Sequence, residues 1–192
     1  MAATPSMMIE LGTPCPPFAL SDPAGRVWTN EDFADEPVLV VMVICNHCPF
    51  VKLIRDELAA IGRDYMPHGV GFIAVNANDI ERYPDDAPDK MALEADAAGY
   101  AFPYVYDADQ SFVRELGAAC TPDFFVFDAS RALVYRGQLD DARPGSTIPV
   151  TGSDLRAALD ALLAGEPVSA NQQPSIGCNI KWKPGNEPDQ PI

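Results

Sequence analysis

The sequence predicts an α/β domain of three layers: a central mixed β-sheet with helices on both faces and a β-hairpin on its amino-terminal side. Three observations predict it. Residues Val38 to Ile44 are an unbroken apolar, largely β-branched run between Pro37 and Cys45, the pattern of a strand buried on both faces. Val51, Ile54, Leu58, Ile61 and Tyr65 then recur at three- and four-residue spacing, with Lys52, Arg55, Asp56 and Arg63 between them, which makes an amphipathic helix ending near Met66-Pro67. A second apolar run, Gly69 to Val75, ends at Asn76. Strand, helix and strand in that order form one right-handed crossover unit with parallel strands.

The remaining elements follow in order. Residues 1–16, rich in Pro, Ala and Thr, form an amino-terminal extension. Phe18-Ala19-Leu20 and Arg26-Val27-Trp28 flank a turn at Asp22-Pro23-Ala24-Gly25 and predict a short hairpin. Asn76 to Lys90 holds four Asp, one Glu and two Pro, so it reads as a long acidic loop before a helix near 89–99. Pro103 to Tyr106 reads as a strand, Asp109 to Leu116 as a helix with an acidic cap, and Phe124 to Phe127 as another strand. Arg131 to Arg136 would pair with the last of these antiparallel, across a turn at Asp128-Ala129-Ser130. A final helix carries Leu155, Ala158, Leu159 and Leu162 on one face and closes at Gly165. The division expected is 1–16 extension, 17–165 domain and 166–192 tail. Ile176, Ile180 and Trp182 are costly to leave in water, so part of the tail should dock on the domain.

Charge and composition exclude several functions. Thirteen Lys and Arg stand against 28 Asp and Glu, a net charge of −15, with no basic cluster to follow a phosphate backbone, so no nucleic-acid partner is expected. An acidic surface is repelled by anionic lipid, and no apolar run approaches the length of a membrane span, so no membrane association is expected. Met1 to Leu20 lacks a basic start and an apolar core, which gives a cytoplasmic location as the expectation. Five cysteines in a reducing compartment point to reactive or metal-binding use of a close pair rather than to a disulfide framework.

That pair is Cys45-Asn46-His47-Cys48, at the junction between the first buried strand and the amphipathic helix. Two intervening residues bring the sulfurs within disulfide reach, and the positive helix end favours a thiolate. Cys45, nearer the strand, is expected to attack, and Cys48 to resolve the resulting mixed disulfide. A protonated His47 would add to the stabilisation of the Cys45 thiolate, and Pro49 suits a first helical turn. Alternatives stay open. The two thiols could pack as small hydrophobes in a non-catalytic binding module, or Cys45, His47 and Cys48, with Cys120, could bind copper or zinc.

Taken together, Cys45-Asn46-His47-Cys48-Pro49, Asn76-Ala77-Asn78-Asp79, Gly117 to Asp123, Tyr135-Arg136-Gly137 with Asp140-Asp141, and Ser175-Ile176-Gly177-Cys178 resemble the thioredoxin superfamily. The resemblance is to its peroxiredoxin-like branch, the alkyl hydroperoxide reductase and thiol-specific antioxidant group, over roughly residues 10–183. It implies a thioredoxin-like fold, and thiol–disulfide oxidoreductase or thiol-dependent peroxidase activity without a cofactor. The partners it implies are protein or small-molecule thiols and disulfides, peroxides, and a cellular reductant. It also implies that Thr121-Pro122 is a cis-proline loop facing the dithiol, whose exposed backbone pairs with a substrate chain. Cys120 and Cys178 would then be accessory resolving or redox-sensing thiols. Cys15 has no assigned role.

The sequence departs from the family patterns in two respects. Leu39 and Ile44 stand where thioredoxins carry a buried Asp and a Trp, so acid–base help has to come from elsewhere. The peroxidase pattern Pro-x-x-x-Thr-x-x-Cys is met in neither register: counting back from Cys48 gives Val41 and Cys45, and from Cys45 gives Val38 and Met42. Arg136 and Arg143 are the cations that could polarise a peroxide, and an ordinary surface role is the expectation for both.

Overall fold

A computed structural model describes residues 3–188 of the chain. Its centre is β4 of the strands β1 (Ala3–Pro5), β2 (Ala19–Ser21), β3 (Val27–Thr29) and β4 (Val38–Val43). Every residue of β4 is buried, as its unbroken apolar run predicts. The helix α1 (Pro49–Tyr65) leads to β5 (Val70–Asn76), which lies parallel to β4 and completes the crossover unit. There follow α2 (Pro88–Ala98), β6 (Tyr104–Tyr106), α3 (Ser111–Glu115), β7 (Cys120–Thr121), β8 (Asp123–Phe127), β9 (Leu133–Gly137), α4 (Ser153–Leu163) and β10 (Ile176–Asn179).

Seven strands form the main sheet in the order β3-β2-β6-β5-β4-β8-β9. It is mixed, with β4, β5 and β6 parallel and β8 antiparallel to β4. Alternation along β4 divides the interior into two layers. Val38, Val40 and Met42 meet the apolar faces of α1 and α4 and Met91 of α2. Leu39, Val41 and Val43 meet Phe112, Val113 and Leu116 of the α3 region, together with Phe18, Phe33, Ile180 and Trp182. Phe18 from the hairpin and Trp182 from the tail thereby share one layer, and the fold is the expected α/β sandwich with a mixed sheet between helices.

A second sheet, absent from the sequence expectation, has the order β1-β10-β7. β10 is its middle strand, antiparallel to both neighbours, with Ala3 opposite Cys178 on one side and Thr121 opposite Cys178 on the other. Ser6 and Ser175 exchange hydrogen bonds beside it, the Ser6 N–H reaching Ser175 O at 2.9 Å and the Ser175 N–H reaching Ser6 Oγ at 3.1 Å. The amino-terminal strand is therefore tied to β10, and β10 to the two residues that precede Pro122.

Candidate active site

Ile44 to His47 form the bend that joins β4 to α1, and helix geometry begins only at Pro49. Proline fixes φ and lacks an N–H, so it starts a helix well and leaves the residue before it extended. Cys48 is that residue, with φ −67° and ψ 123°, and it is the N-cap of α1. The sequence expectation put the favoured thiolate at Cys45. Helix geometry starts one residue after Cys48, so the amino-terminal end of α1 lies nearer to Cys48 than to Cys45. The Cys48 pKa is held down at about 5, chiefly by a hydrogen bond from the Cys45 thiol. Burial opposes the charge, while Cys178, the Thr121 hydroxyl and the Val51 N–H favour it. The same hydrogen bond, together with burial and the charge of Asp86, pushes Cys45 well above the ordinary thiol value.

Three sulfurs meet here. Cys48 Sγ lies 3.0 Å from Cys178 Sγ, and as a thiol it reaches Thr121 O at 3.1 Å. Cys45 Sγ is 3.5 Å from Thr121 Oγ1. The Thr121–Pro122 peptide is cis. Burial, followed by donation to Cys48, raises Cys178 to about 12. Cys120 is buried and its thiol reaches Pro122 O at 3.5 Å rather than any of the three sulfurs, so the site gathers Cys178 and leaves Cys120 beside it. Cys15 lies apart, near Pro16 O, its pKa pushed up to about 11 by burial.

The acid that position 39 lacks comes from the acidic loop. Asp86 is fully buried, and its Oδ1 accepts from the Asn46 and His47 N–H groups at 2.9 and 3.2 Å. Its Oδ2 accepts from Asn78 Nδ2 at 2.8 Å and pairs with His47 Nδ1 at 2.6 Å. Burial works against the Asp86 charge, but the donors from His47 and Asn78 outweigh it and hold the pKa below the usual carboxylate range. In return the bond to Asp86 raises the His47 pKa above its ordinary value. The His47 ring stacks on Tyr83, with centroids 5.6 Å apart and planes at 9°. Asn46 is fixed as well, by Tyr104 Oη donating to its Oδ1 at 3.0 Å and by its own Nδ2 donating to Asp85 O at 2.9 Å. An open hollow of about 390 Å³ lined by Asn46, His47, Lys52, Asp85, Lys90 and Glu94 adjoins this side.

Cys45, His47 and Asp86 also bring one donor atom each within 4.8 Å of one another. The donor set of the sequence alternative thus has Asp86 in place of Cys48. Asp86 already accepts four hydrogen bonds and occupies His47 Nδ1, so the group is arranged to hold a proton, and a metal would have to displace those bonds. Arg136 is engaged with Ile9 O and Gln172, and Arg143 with Asp140 O, Ala142 O and Gln138, so the guanidinium groups are occupied by these partners. No helix among the described residues is long and apolar enough to cross a membrane.

A bent dithiol at a strand-to-helix junction, facing a cis-proline loop on a mixed sheet, defines a thioredoxin-like redox protein. Residues 10–159 match the redoxin family model, and the chain belongs to the redoxin family within the thioredoxin superfamily. Its fold is shared with an uncharacterized conserved protein from Geobacillus kaustophilus, 54% identical over 96% of this chain and 98% of that one, with a TM-score of 0.94. A hypothetical protein from Sinorhizobium meliloti is 50% identical over 95% and 100% of the two chains, also with a TM-score of 0.94. A thiol:disulfide interchange protein from Chlorobium tepidum shares the fold at 16% identity, with a TM-score of 0.61 over 81% of this chain and 99% of that one. No curated protein matches the sequence.

Proposed function

We propose that this redoxin is a thiol–disulfide oxidoreductase in which Cys48 carries the reactive thiolate and Cys45 is its redox partner. One observation carries the reading: Cys48 sits at the N-cap of a 17-residue helix, three residues from Cys45, with its sulfur against the cis Thr121–Pro122 loop at 3.1 Å from Thr121 O. A thiolate there attacks one sulfur of a disulfide R–S–S–R, forming Cys48–S–S–R and releasing one thiolate. Cys45 then attacks Cys48 Sγ, the second thiolate leaves, and the dithiol ends as a Cys45–Cys48 disulfide. Cys45 must lose its proton to do so. His47, held by Asp86 with a ring nitrogen within 4.8 Å of Cys45 Sγ, would receive it in its neutral form through one bridging water, and the raised His47 pKa makes that step more effective as pH rises. A cellular thiol reductant would return the pair to the dithiol.

Peroxide is a second oxidant for the same thiolate. It would give a sulfenic acid and water, and Cys45 would condense with that acid to the same disulfide. The absence of the peroxidase threonine in either register favours disulfides as the substrate class. The test is the pH dependence of alkylation at each cysteine, resolved by mass spectrometry, alongside equilibration with a glutathione buffer. Cys48 titrating near 5 and a reversible Cys45–Cys48 disulfide are expected. An ordinary thiol pKa at Cys48 with no intramolecular disulfide would overturn the reading in favour of metal or partner binding.

A further inference from the structure

The dithiol is closed as folded: Cys45 is 1% exposed and Cys48 is 0% exposed. The Thr121 backbone, expected to pair with a substrate chain, is already paired with the protein's own β10. Their approach is so close that a Cβ at Gly177 would run into the Thr121 carbonyl oxygen, so only glycine lets β10 sit there. The register then sets Cys178 opposite Thr121, with Cys178 Sγ 3.0 Å from Cys48 Sγ. That separation is about 1 Å beyond a disulfide bond. The tail is held on either side of this contact, by Ser175 against Ser6 and by the Lys181 N–H donating to Asn78 Oδ1 at 2.8 Å.

We propose that β10 is an internal substrate strand and that Cys178 is a second resolving thiol for Cys48. The proposal rests on the oxidoreductase reading. An incoming chain and β10 need the same Thr121 backbone, so β10 lifts for the substrate to enter and its return expels what is bound. On return Cys178 Sγ attacks Cys48 Sγ of the mixed disulfide Cys48–S–S–R. The Cys48–Cys178 bond forms, the bond to R breaks, and R–S⁻ departs and takes up the proton that Cys178 lost. Two thiols of the protein have then reduced R–S–S–R to two R–SH. Cys45, on the other flank of Cys48, can displace Cys178 in a further exchange that moves the disulfide to Cys45–Cys48 with no change in oxidation state. Tethering places the attacking sulfur at high effective concentration, which a free thiol does not match.

The decisive experiment treats the full chain carrying Cys45→Ser with oxidised glutathione and maps disulfides by non-reducing peptide mass spectrometry. A Cys48–Cys178 disulfide, and a persistent glutathione adduct on Cys48 when Cys178→Ser is added, are expected. A persistent adduct in Cys45→Ser alone overturns the proposal. If the wild-type chain still closes Cys45–Cys48 in that case, the oxidoreductase reading survives; if it forms no intramolecular disulfide at all, both fall. Gly177→Ala supplies an independent measure. It is expected to raise the alkylation rate of Cys48 about tenfold by unseating β10, and an unchanged rate would overturn the role of β10 as the cover.

Discussion

The dithiol has two walls built from different chemistry. On one side, Asp86 gathers two backbone N–H groups, the His47 ring and Asn78, so this wall holds charge and offers the proposed route for a proton. On the other, Thr121, Pro122 and Cys178 offer backbone and a sulfur, the groups that the proposed chain pairing and disulfide exchange would use. Cys45 and Cys48 are three residues apart yet are pushed in opposite directions, chiefly by the hydrogen bond they share, to which burial and then the Asp86 charge add at Cys45. The asymmetry begins with the hydrogen bond that the spacing allows, and what stands on each side adds to it.

The walls also respond oppositely to pH. The largest effect is expected from Asp86→Ala, which leaves the Asn46 and His47 N–H groups and Asn78 Nδ2 without their acceptor. It should cost about 3–5 kcal/mol in urea unfolding near pH 6. The pH matters because the depressed Asp86 pKa gives stability that is present above the unfolded value near 3.8 and lost as pH falls through the lower folded value. The raised His47 pKa gives stability that is full below 6.5 and lost as pH rises through its folded value. A cost under about 1 kcal/mol would mean that the polar wall does not depend on Asp86.

Asp123 sharpens the contrast from beneath the tail wall. It is fully buried next to Pro122, with the Ala119 N–H reaching its Oδ2 at 3.4 Å and its Oδ1 without a partner among the described residues, and burial pushes its pKa to about 8. The folded protein therefore holds a proton that the unfolded chain releases, and stability should fall as pH rises from about 4 to about 8, by up to ~1.4 kcal/mol per pH unit. Asp123→Asn should flatten that decline, which urea midpoints at pH 5 and pH 8 would reveal; an unaltered slope would assign the decline to another group. The smallest effect is expected from His47→Gln. It should cost about 1 kcal/mol below pH 6.5 and progressively less as pH rises through the raised His47 value, since only the charged ring adds to the Asp86 pair. A cost independent of pH would make His47 a packing residue.

Local pattern made the crossover unit, the hairpin and the β8–β9 pair legible, because period and turn residues act over a few positions. The dithiol was visible for the same reason. Asp86 was not, since nothing in the loop 76–90 separates it from three other aspartates until the chain returns to Asn46. The missing acid at Leu39 was the one signal that such a residue had to exist. The contact of Cys178 with Cys48 spans 130 residues, and the three-residue β1 lies in a Pro- and Ala-rich stretch without alternation. The apolar residues of the tail announced docking but not its partner. Pro49 suits the helix start, and by the same geometry it makes Cys48 the cap.

One side chain belongs to both walls. The Asn78 amide accepts the tail's Lys181 N–H through its oxygen and donates to Asp86 through its nitrogen. An amide has two unlike ends and no titrating proton, so this link has a fixed polarity: turned over, it would set oxygen against carboxylate and N–H against N–H at once. The thread from tail to acid therefore reads in one direction only. Asn78→Asp keeps its size but erases that direction, and a tail so attached would come and go without the histidine being told.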